Sequence, residues 1–518
     1  FPKAGRNLLT GSRTLIQSRH RKEADASYYC LLAAFSGLLL LSTSCMVGPN
    51  YKRPSAPVPP AFKEQAPPDY KEANGWKPAQ PGDSLLKGKW WEIYNDPALN
   101  ALEEQVAINN QNVLLAEANY RFAAAATRVA HAALFPTASV SPALTESRTG
   151  GTITAGGGVA ASGLRTLYTL PASATWAPDL WGSVRRNITA QSETAQASAA
   201  TLENARLLYQ ATLAQDYFML HGLDGQADLL QRTLQSYNEY LTLTQNRRAG
   251  GIASDLDVAQ AESQLYGTQS SLQDLAVQRQ QLEHAIAVLT GRAPAELTIP
   301  LLVLTTPPPA VPIDVPSRLL ERRPDIATAE RQMAAANEQI GIAKAAFYPS
   351  LTLSATAGLE NSSITSWFTW PSRFFSMGPS VSQLLFDAGR RRAVMAETQA
   401  TFDGTIATYR QTVLTAFQQV EDNLAALRVL QEEAGTVEKT VAAADRALTI
   451  STAQYKAGTT SYLTVITEQA TSLSAQVTAV ELLTRRLTAS VLLVQALGGG
   501  WDESQMPSIR DVQTKGSQ

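Results

Sequence analysis

The residues that could do chemistry in this chain are few and mostly scattered. Its four histidines, His20, His131, His221 and His284, form no close pair of the kind a metal ion needs. Gly82 to Lys89 comes near a phosphate loop, but five residues separate the glycines and Trp90 stands where Ser or Thr is required. No nucleophile elbow or paired-carboxylate site stands out, so neither an enzyme nor a cofactor or metal site is expected. Two groupings do carry chemical meaning. Cys45 follows an apolar run and the small residues Ser42, Thr43 and Ser44, the arrangement of a bacterial lipoprotein cleavage site at which the cysteine is lipidated. Ser42 departs from the aliphatic residue usual at that place, and ordinary cleavage beside an unmodified cysteine is the alternative. Asp255 and Asp257 follow a glycine turn. Repeated around a narrow mouth, such carboxylates would form a ring that attracts cations and resists closure. The plainer role is that of acids favoured at a helix start by its dipole.

Composition sets limits on the rest. The 518 residues carry 43 basic and 45 acidic side chains, a balance that gives no electrostatic case for nucleic acid. Residues 1–44 are expected to be a signal peptide. Arg19, Arg21 and Lys22 precede an apolar run from Tyr28 to Leu41, shorter than the roughly 20 residues needed to cross a bilayer. Cys30 lies inside that run, so the exported chain would hold one cysteine and no disulfide. Residues 45–95 form a proline-dense segment expected to lie extended over a surface.

Any such groups must be positioned by a duplicated framework. Ala130-His131-Ala132-Ala133-Leu134-Phe135-Pro136-Thr137 returns as Ala343-Lys344-Ala345-Ala346-Phe347-Tyr348-Pro349-Ser350. Leu180-Trp181 with Arg185-Arg186 returns as Leu385-Phe386 with Arg390-Arg391. Ala249-Gly250 with Ser254, Leu256 and Val258 returns as Ala457-Gly458 with Ser461, Leu463 and Val465. Order and spacing are kept, so the chain is expected to be two copies of one large unit, 96–300 and 301–497, followed by a tail over 498–518.

Within each copy the periodicity changes twice. Leu223, Ala227, Leu230, Leu234, Tyr237 and Leu241 step by fours and threes, as do Val413, Phe417, Val420, Leu424 and Leu427. That is the seam of helices packed side by side. A helix over 183–248 would be about 100 Å long, too long for a compact globule to bury. It ends at Arg248-Ala249-Gly250-Gly251, and its counterpart at Lys456-Ala457-Gly458. Glycine supplies the left-handed turn, and Ser254 or Ser461 offers an N-cap to the returning helix, 255–290 or 462–497. Shorter helices over 112–135 and 325–348 would stack end to end with the returning ones beside each long helix.

Between these helices small polar and apolar residues alternate, over about 137–148, 164–177, 350–361 and 374–385. Trp176, Trp181, Trp367, Phe368, Trp370, Phe374 and Phe375 cluster at the ends. This is the pattern of transmembrane strands with an aromatic girdle, and a soluble β-domain is the alternative. The basic clusters Arg185-Arg186 and Arg390-Arg391-Arg392 just beyond the strands would meet lipid phosphates, or else simply start solvated helices. Four strands cannot sit open in lipid, and known barrels start at about eight. Several copies must therefore share one barrel, continued by a helical tunnel.

Several stretches resemble TolC-like outer-membrane factors, especially the NodT-type lipoproteins of resistance-nodulation-division efflux systems. They are Cys45 with Val47-Gly48-Pro49-Asn50-Tyr51-Lys52-Arg53-Pro54, Trp90-Trp91, Asp96-Pro97-Ala98-Leu99, Trp176 with Asp179-Leu180-Trp181-Gly182, and Leu320-Glu321-Arg322-Arg323-Pro324-Asp325-Ile326 with Ala346-Phe347-Tyr348-Pro349-Ser350. Ala177 and Pro178 depart from the family pattern. The resemblance implies a mixed α and β membrane protein and a homotrimer with a twelve-stranded barrel. It also implies the outer membrane, a periplasmic adaptor and an inner-membrane pump as surroundings, and passive export of small molecules as the task. Gly250, Gly251, Ser254, Gly458 and Ser461 would then form the tip held by the adaptor, unless they only cap helices. The aperture would involve Asp255, Asp257, Thr464 and Thr467. The gating aspartates of some ducts in the family fall on the two threonines, which shifts the expectation of an acidic gate to Asp257. A duct for protein secretion and a non-conducting lipid-anchored scaffold are the competing readings.

Overall fold

The computed structural model describes residues 46–64, 88–148, 164–311, 316 and 319–514. The expected signal peptide and Cys45 lie outside them, as do part of the proline-dense segment and the end of the tail. The described residues divide into two compact units, one drawn from within 1–52, 126–191 and 334–402, the other from within 53–125, 192–333 and 403–518.

The helices come in matched lengths. Helix α1 spans Pro97–Asn109 and α2 Gln111–Ala132. Helix α3 (Ser183–Ala249) and its counterpart α6 (Arg390–Lys456) each hold 67 residues. Helices α4 (Asp255–Leu289) and α7 (Tyr462–Ala496) hold 35 each, and α2 and α5 (Pro324–Ala345) 22 each. A last helix, α8, covers Ile509–Thr514. Helices α2 and α5 stop about three residues before the sequence pattern suggests. Pro136 and Pro349 push the preceding residue out of helical geometry, and the chain loosens into turns such as Leu134 N–H to His131 O, 3.1 Å.

In the second unit the heptad positions of α6 form its core: Val413, Phe417, Val420, Leu424 and Leu427 are all buried. On α3 the same role falls to Leu230, Tyr237 and Leu241. Glycines set one close helix approach. A side chain at Gly222 of α3 would collide with Thr484 of α7, and a Cβ at Gly225 would lie 3.1 Å from Val480 Cγ1.

The first unit is built around an antiparallel sheet of β1 (Thr137–Val140), β2 (Ala143–Arg148), β3 (Leu164–Trp176), β4 (Ser350–Asn361) and β5 (Arg373–Ser382). Both β1 and β2 pair with β3, then β3 with β4 and β4 with β5. Val140 lies opposite Ala172 and Ala143 opposite Thr169, so β1 and β2 keep one register and form a single interrupted strand. Proline causes the gap. Ser141 N–H reaches Pro171 O at 3.1 Å, but Pro171 has no N–H to return. By the alternation of an antiparallel ladder, the donor missing at Pro142 faces the open edge. The same alternation carried across β4 puts the missing donor of Pro379 on the other open edge, along β5. The last strand stops at Ser382 rather than near 385. Among the described residues the sheet has no further partner on either side.

Candidate functional site

The strand register sorts the first unit's side chains onto two faces, because directly opposite residues share a face. Ala138, Ala174, Ala355 and Met377 make one row, and Val140, Ala172, Ala357 and Phe375 the next. The other face carries Ser139, Ser173, Thr356 and Ser376, then Thr137, Thr175, Ser354 and Gly378. Ser173 and Thr356 hydroxyls lie 3.2 Å apart across the strands. Val140, Phe375 and Met377 are 64%, 78% and 65% exposed, so the apolar face is uncovered within one chain. Gly358 allows the close passage of β3, since a Cβ there would stand 2.8 Å from Pro171 Cα.

Aromatic rings gather at both ends of these strands. Tyr168 and Trp367 pack at 5.6 Å, and Arg373 sits over the Trp370 ring at 3.9 Å. At the opposite end Trp176 Nε1 donates to Leu134 O, and Trp181 Nε1 donates to Pro349 O at 2.7 Å. Of the basic residues beyond the strands, three are engaged by the protein's own carboxylates, while Arg390 and Arg392 are exposed. Arg185 pairs with Asp179 at 3.1 Å. Arg186 is fully buried against Glu338 at 2.7 Å, so its charge is engaged inside the protein. Arg391 pairs with Asp387 at 2.7 Å.

The second unit holds both glycine turns. Gly251 (φ +74°) and Gly458 (φ +76°) take the left-handed conformation that ends α3 and α6. Ser254 caps α4 in a reciprocal box: Asp257 N–H donates to Ser254 Oγ at 3.2 Å, and Ser254 N–H donates to Asp257 Oδ2 at 2.8 Å. The Asp257 carboxylate is thus engaged in a cap, while Asp255 is exposed and pairs with Arg248. Ser461 occupies the N-cap of α7 as expected, but its side chain makes no cap bond. Thr464 replaces the acid at the third helical position, and its hydroxyl lies 3.4 Å from Ser461 Oγ and 3.1 Å from Thr460 Oγ1. Thr467 Oγ1 donates to Leu463 O at 3.0 Å. Behind both turns lies one apolar cluster of Leu241, Val258, Ala261, Tyr455, Tyr462 and Val465. Arg247 donates to Tyr455 O at 2.9 Å and lies over its ring. The two glycine turns are therefore backed by one shared cluster.

Sequence reasoning missed the buried charges. Asp224 accepts from Arg279 Nε at 2.6 Å and Leu302 N–H at 3.2 Å, and pairs with His221 Nδ1 at 2.8 Å. Burial pushes this carboxyl up, but the His221, Arg279 and Leu302 bonds outweigh it and hold it below its ordinary value. Arg279 and Glu283 also hold Ile299 through its O and N–H, at 2.7 and 2.8 Å, pinning the segment after α4. Burial raises Glu103 well above, and Asp216 to about 6. Gly222 and Gly225 inside a helical pattern were the available signal for a close approach. No group of metal-ligating residues occurs among the described residues, and no described helix is long and apolar enough to cross a membrane.

Comparison with known proteins adds the following. The profile of the outer membrane efflux protein family matches twice, over residues 102–292 and 315–499. The chain is 31% identical over 466 residues to the probable efflux pump outer membrane protein TtgC of Pseudomonas putida, spanning 89% of this chain and 93% of that protein. Its fold matches the outer-membrane channel OprN with a TM-score of 0.79 at 28% identity, covering 88% of this chain and 100% of OprN. VceC of Vibrio cholerae matches with a TM-score of 0.73 at 27% identity, over 80% and 100% of the two chains.

Proposed function

Since the chain belongs to the outer membrane efflux protein family, a family of outer-membrane channels rather than enzymes, we propose that it is the passive exit duct of a tripartite pump, carrying small molecules outward. It acts as an outer-membrane efflux channel. The observation that carries the finer reading is the two-faced open sheet. One face is rows of Ala, Val, Met and Phe, the other rows of Ser and Thr, and both edges lack partners among the described residues. An open sheet cannot remain in lipid. Three copies closing edge to edge would give twelve strands, apolar side to lipid and hydroxyl side to the lumen. Exposed Leu115, Phe122 and Val129, seven residues apart on α2, support contacts between copies along the helices. Equal helix lengths and the double profile match support two repeats at 96–300 and 301–497.

The tip residues Gly250, Gly251, Ser254, Gly458 and Ser461 are the proposed adaptor contact, with the inner-membrane pump beyond. Asp255, Asp257, Thr464 and Thr467 are the proposed aperture. Lipidation of Cys45 would add an anchor in the outer membrane.

The test is the purified protein in planar bilayers and by mass. A trimer conducting ions is expected, with Asp257→Asn lowering cation selectivity. A monomer, or a trimer without conductance, would overturn the duct. Unchanged selectivity in Asp257→Asn would remove only the acidic aperture. Co-purification of an adaptor and pump would support the tripartite assembly.

A further inference from the structure

We propose that Arg186 and Glu338 build a docking slot for the chain's own extended segment 46–50, and that its seating sets the spacing of the β3–α3 and α5–β4 junctions. All the groups involved belong to the first unit. Arg186 Nε donates to Val47 O at 2.8 Å and Nη1 to Pro49 O at 3.1 Å, while Nη1 also meets Glu338 Oε2 at 2.7 Å. Asn337 Nδ2 adds a contact to Pro49 O at 3.4 Å. Val47 N–H in turn donates to Trp181 O at 3.2 Å. Both polar groups of Val47 are therefore satisfied.

The slot admits this segment because glycines meet there. Gly48 has φ +120°, and a Cβ on it would lie 2.6 Å from Gly341 Cα and 3.2 Å from Arg186 Nη2. Gly341 leaves room for the Arg186 side chain itself. Gly182 (φ +79°) makes way for Met46, whose Cγ a Cβ would approach to 2.7 Å. Any side chain at these points would hold the segment off.

An empty slot is unfavourable. Arg186 is fully buried, and without residues 47–49 it would lose two carbonyl acceptors while keeping a desolvated charge beside Glu338. The helices would have to shift or admit water. Those helices lead directly into the sheet: Arg186 lies in the first turn of α3, just after β3, and Glu338 about two turns before the end of α5, which leads to β4. Since β3 and β4 pair over residues 168–176 and 353–361, a change in helix spacing acts on that pairing.

Hydrogen exchange on the full chain tests this without requiring conduction. Gly48→Val blocks seating but leaves the Arg186–Glu338 pair intact. It is expected to raise exchange at Val47 up to roughly tenfold, as its N–H loses the bond to Trp181 O. It should also raise exchange in 172–176 and 353–357, while helix α6 beyond residue 403 is unchanged. Faster exchange at Val47 with an unaltered sheet would overturn the spacing role, and no change at Val47 would overturn the docking. Should Gly48→Val yield little folded protein, Arg186→Lys keeps the charge but lacks the fork that spans two carbonyls. It should give both changes at smaller size, and an unaltered sheet in that variant would equally overturn the proposal.

Discussion

Trp181 and Tyr348 stack with ring centroids 4.8 Å apart and an interplanar angle of 26°, one ring following β3 and the other preceding β4. The stack and the Trp181 bond to Pro349 O tie the two strand–helix junctions together. Trp181→Phe keeps the ring and loses the bond, at an expected cost of about 1 kcal/mol. Trp181→Ala should cost roughly 2–3 kcal/mol. Thermal unfolding in detergent measures both, and equal losses would mean that the ring contributes nothing.

Gly222 lies where α7 leaves no room, since an added Cβ would strike Thr484. In an open helix Gly→Ala stabilises by about 1 kcal/mol. Here Gly222→Ala should destabilise by roughly 1–3 kcal/mol, as overpacking does. Pairing it with Thr484→Ala should recover more than half of the loss. Chemical denaturation of the single and double variants reads this coupling directly.

Asp216 carries a pH signature of its own. Burial pushes its carboxyl up to about 6 in the folded chain, against about 3.9 unfolded. The folded state therefore favours the proton. Stability linked to this group is full below about pH 3.9 and is lost as pH rises through about 6. Removing the charge with Asp216→Asn should raise stability at pH 7 by roughly 1–2 kcal/mol, allowing for its partial exposure, and give no gain at pH 3.5. Melting curves at the two pH values decide it, and an equal gain at both would show a packing effect instead.

The N-caps of α4 and α7 are unequal. Ser254 and Asp257 satisfy one another, whereas Ser461 has only the Thr464 hydroxyl. Ser254→Ala should cost about 1 kcal/mol, and Ser461→Ala only a few tenths. Thr464→Asp should stabilise α7 by completing the reciprocal box. Local exchange of residues 462–466 measures that gain, and faster exchange there would count against it.

What could be read from sequence follows from which forces act locally. Helix seams and glycine turns are legible because period and φ preference belong to neighbouring residues, as at Leu241 or Gly251. The two faces of the sheet are legible in the same way, since Ala172 and Ser173 already alternate along the chain. The gap between β1 and β2 was hidden because Pro171, distant in sequence, removes the donor. Arg186 was misjudged for a related reason: its position beside a strand suggests lipid, and only folding brings Glu338 and the Val47 carbonyl to it. Ser461 takes the N-cap position, but the reciprocal box needs an acceptor side chain three residues on, which Thr464 does not supply.

Pro142 and Pro379 give the open edges a further consequence. A lone subunit must travel with two unpaired strand rims, the kind of surface that templates aggregation. Each rim is missing a donor at its proline, so neither offers a continuous ladder to a passing strand. Mispairing with arbitrary β-rich chains is thereby disfavoured, and in the proposed trimer an identical neighbour would meet those two gaps at one fixed offset.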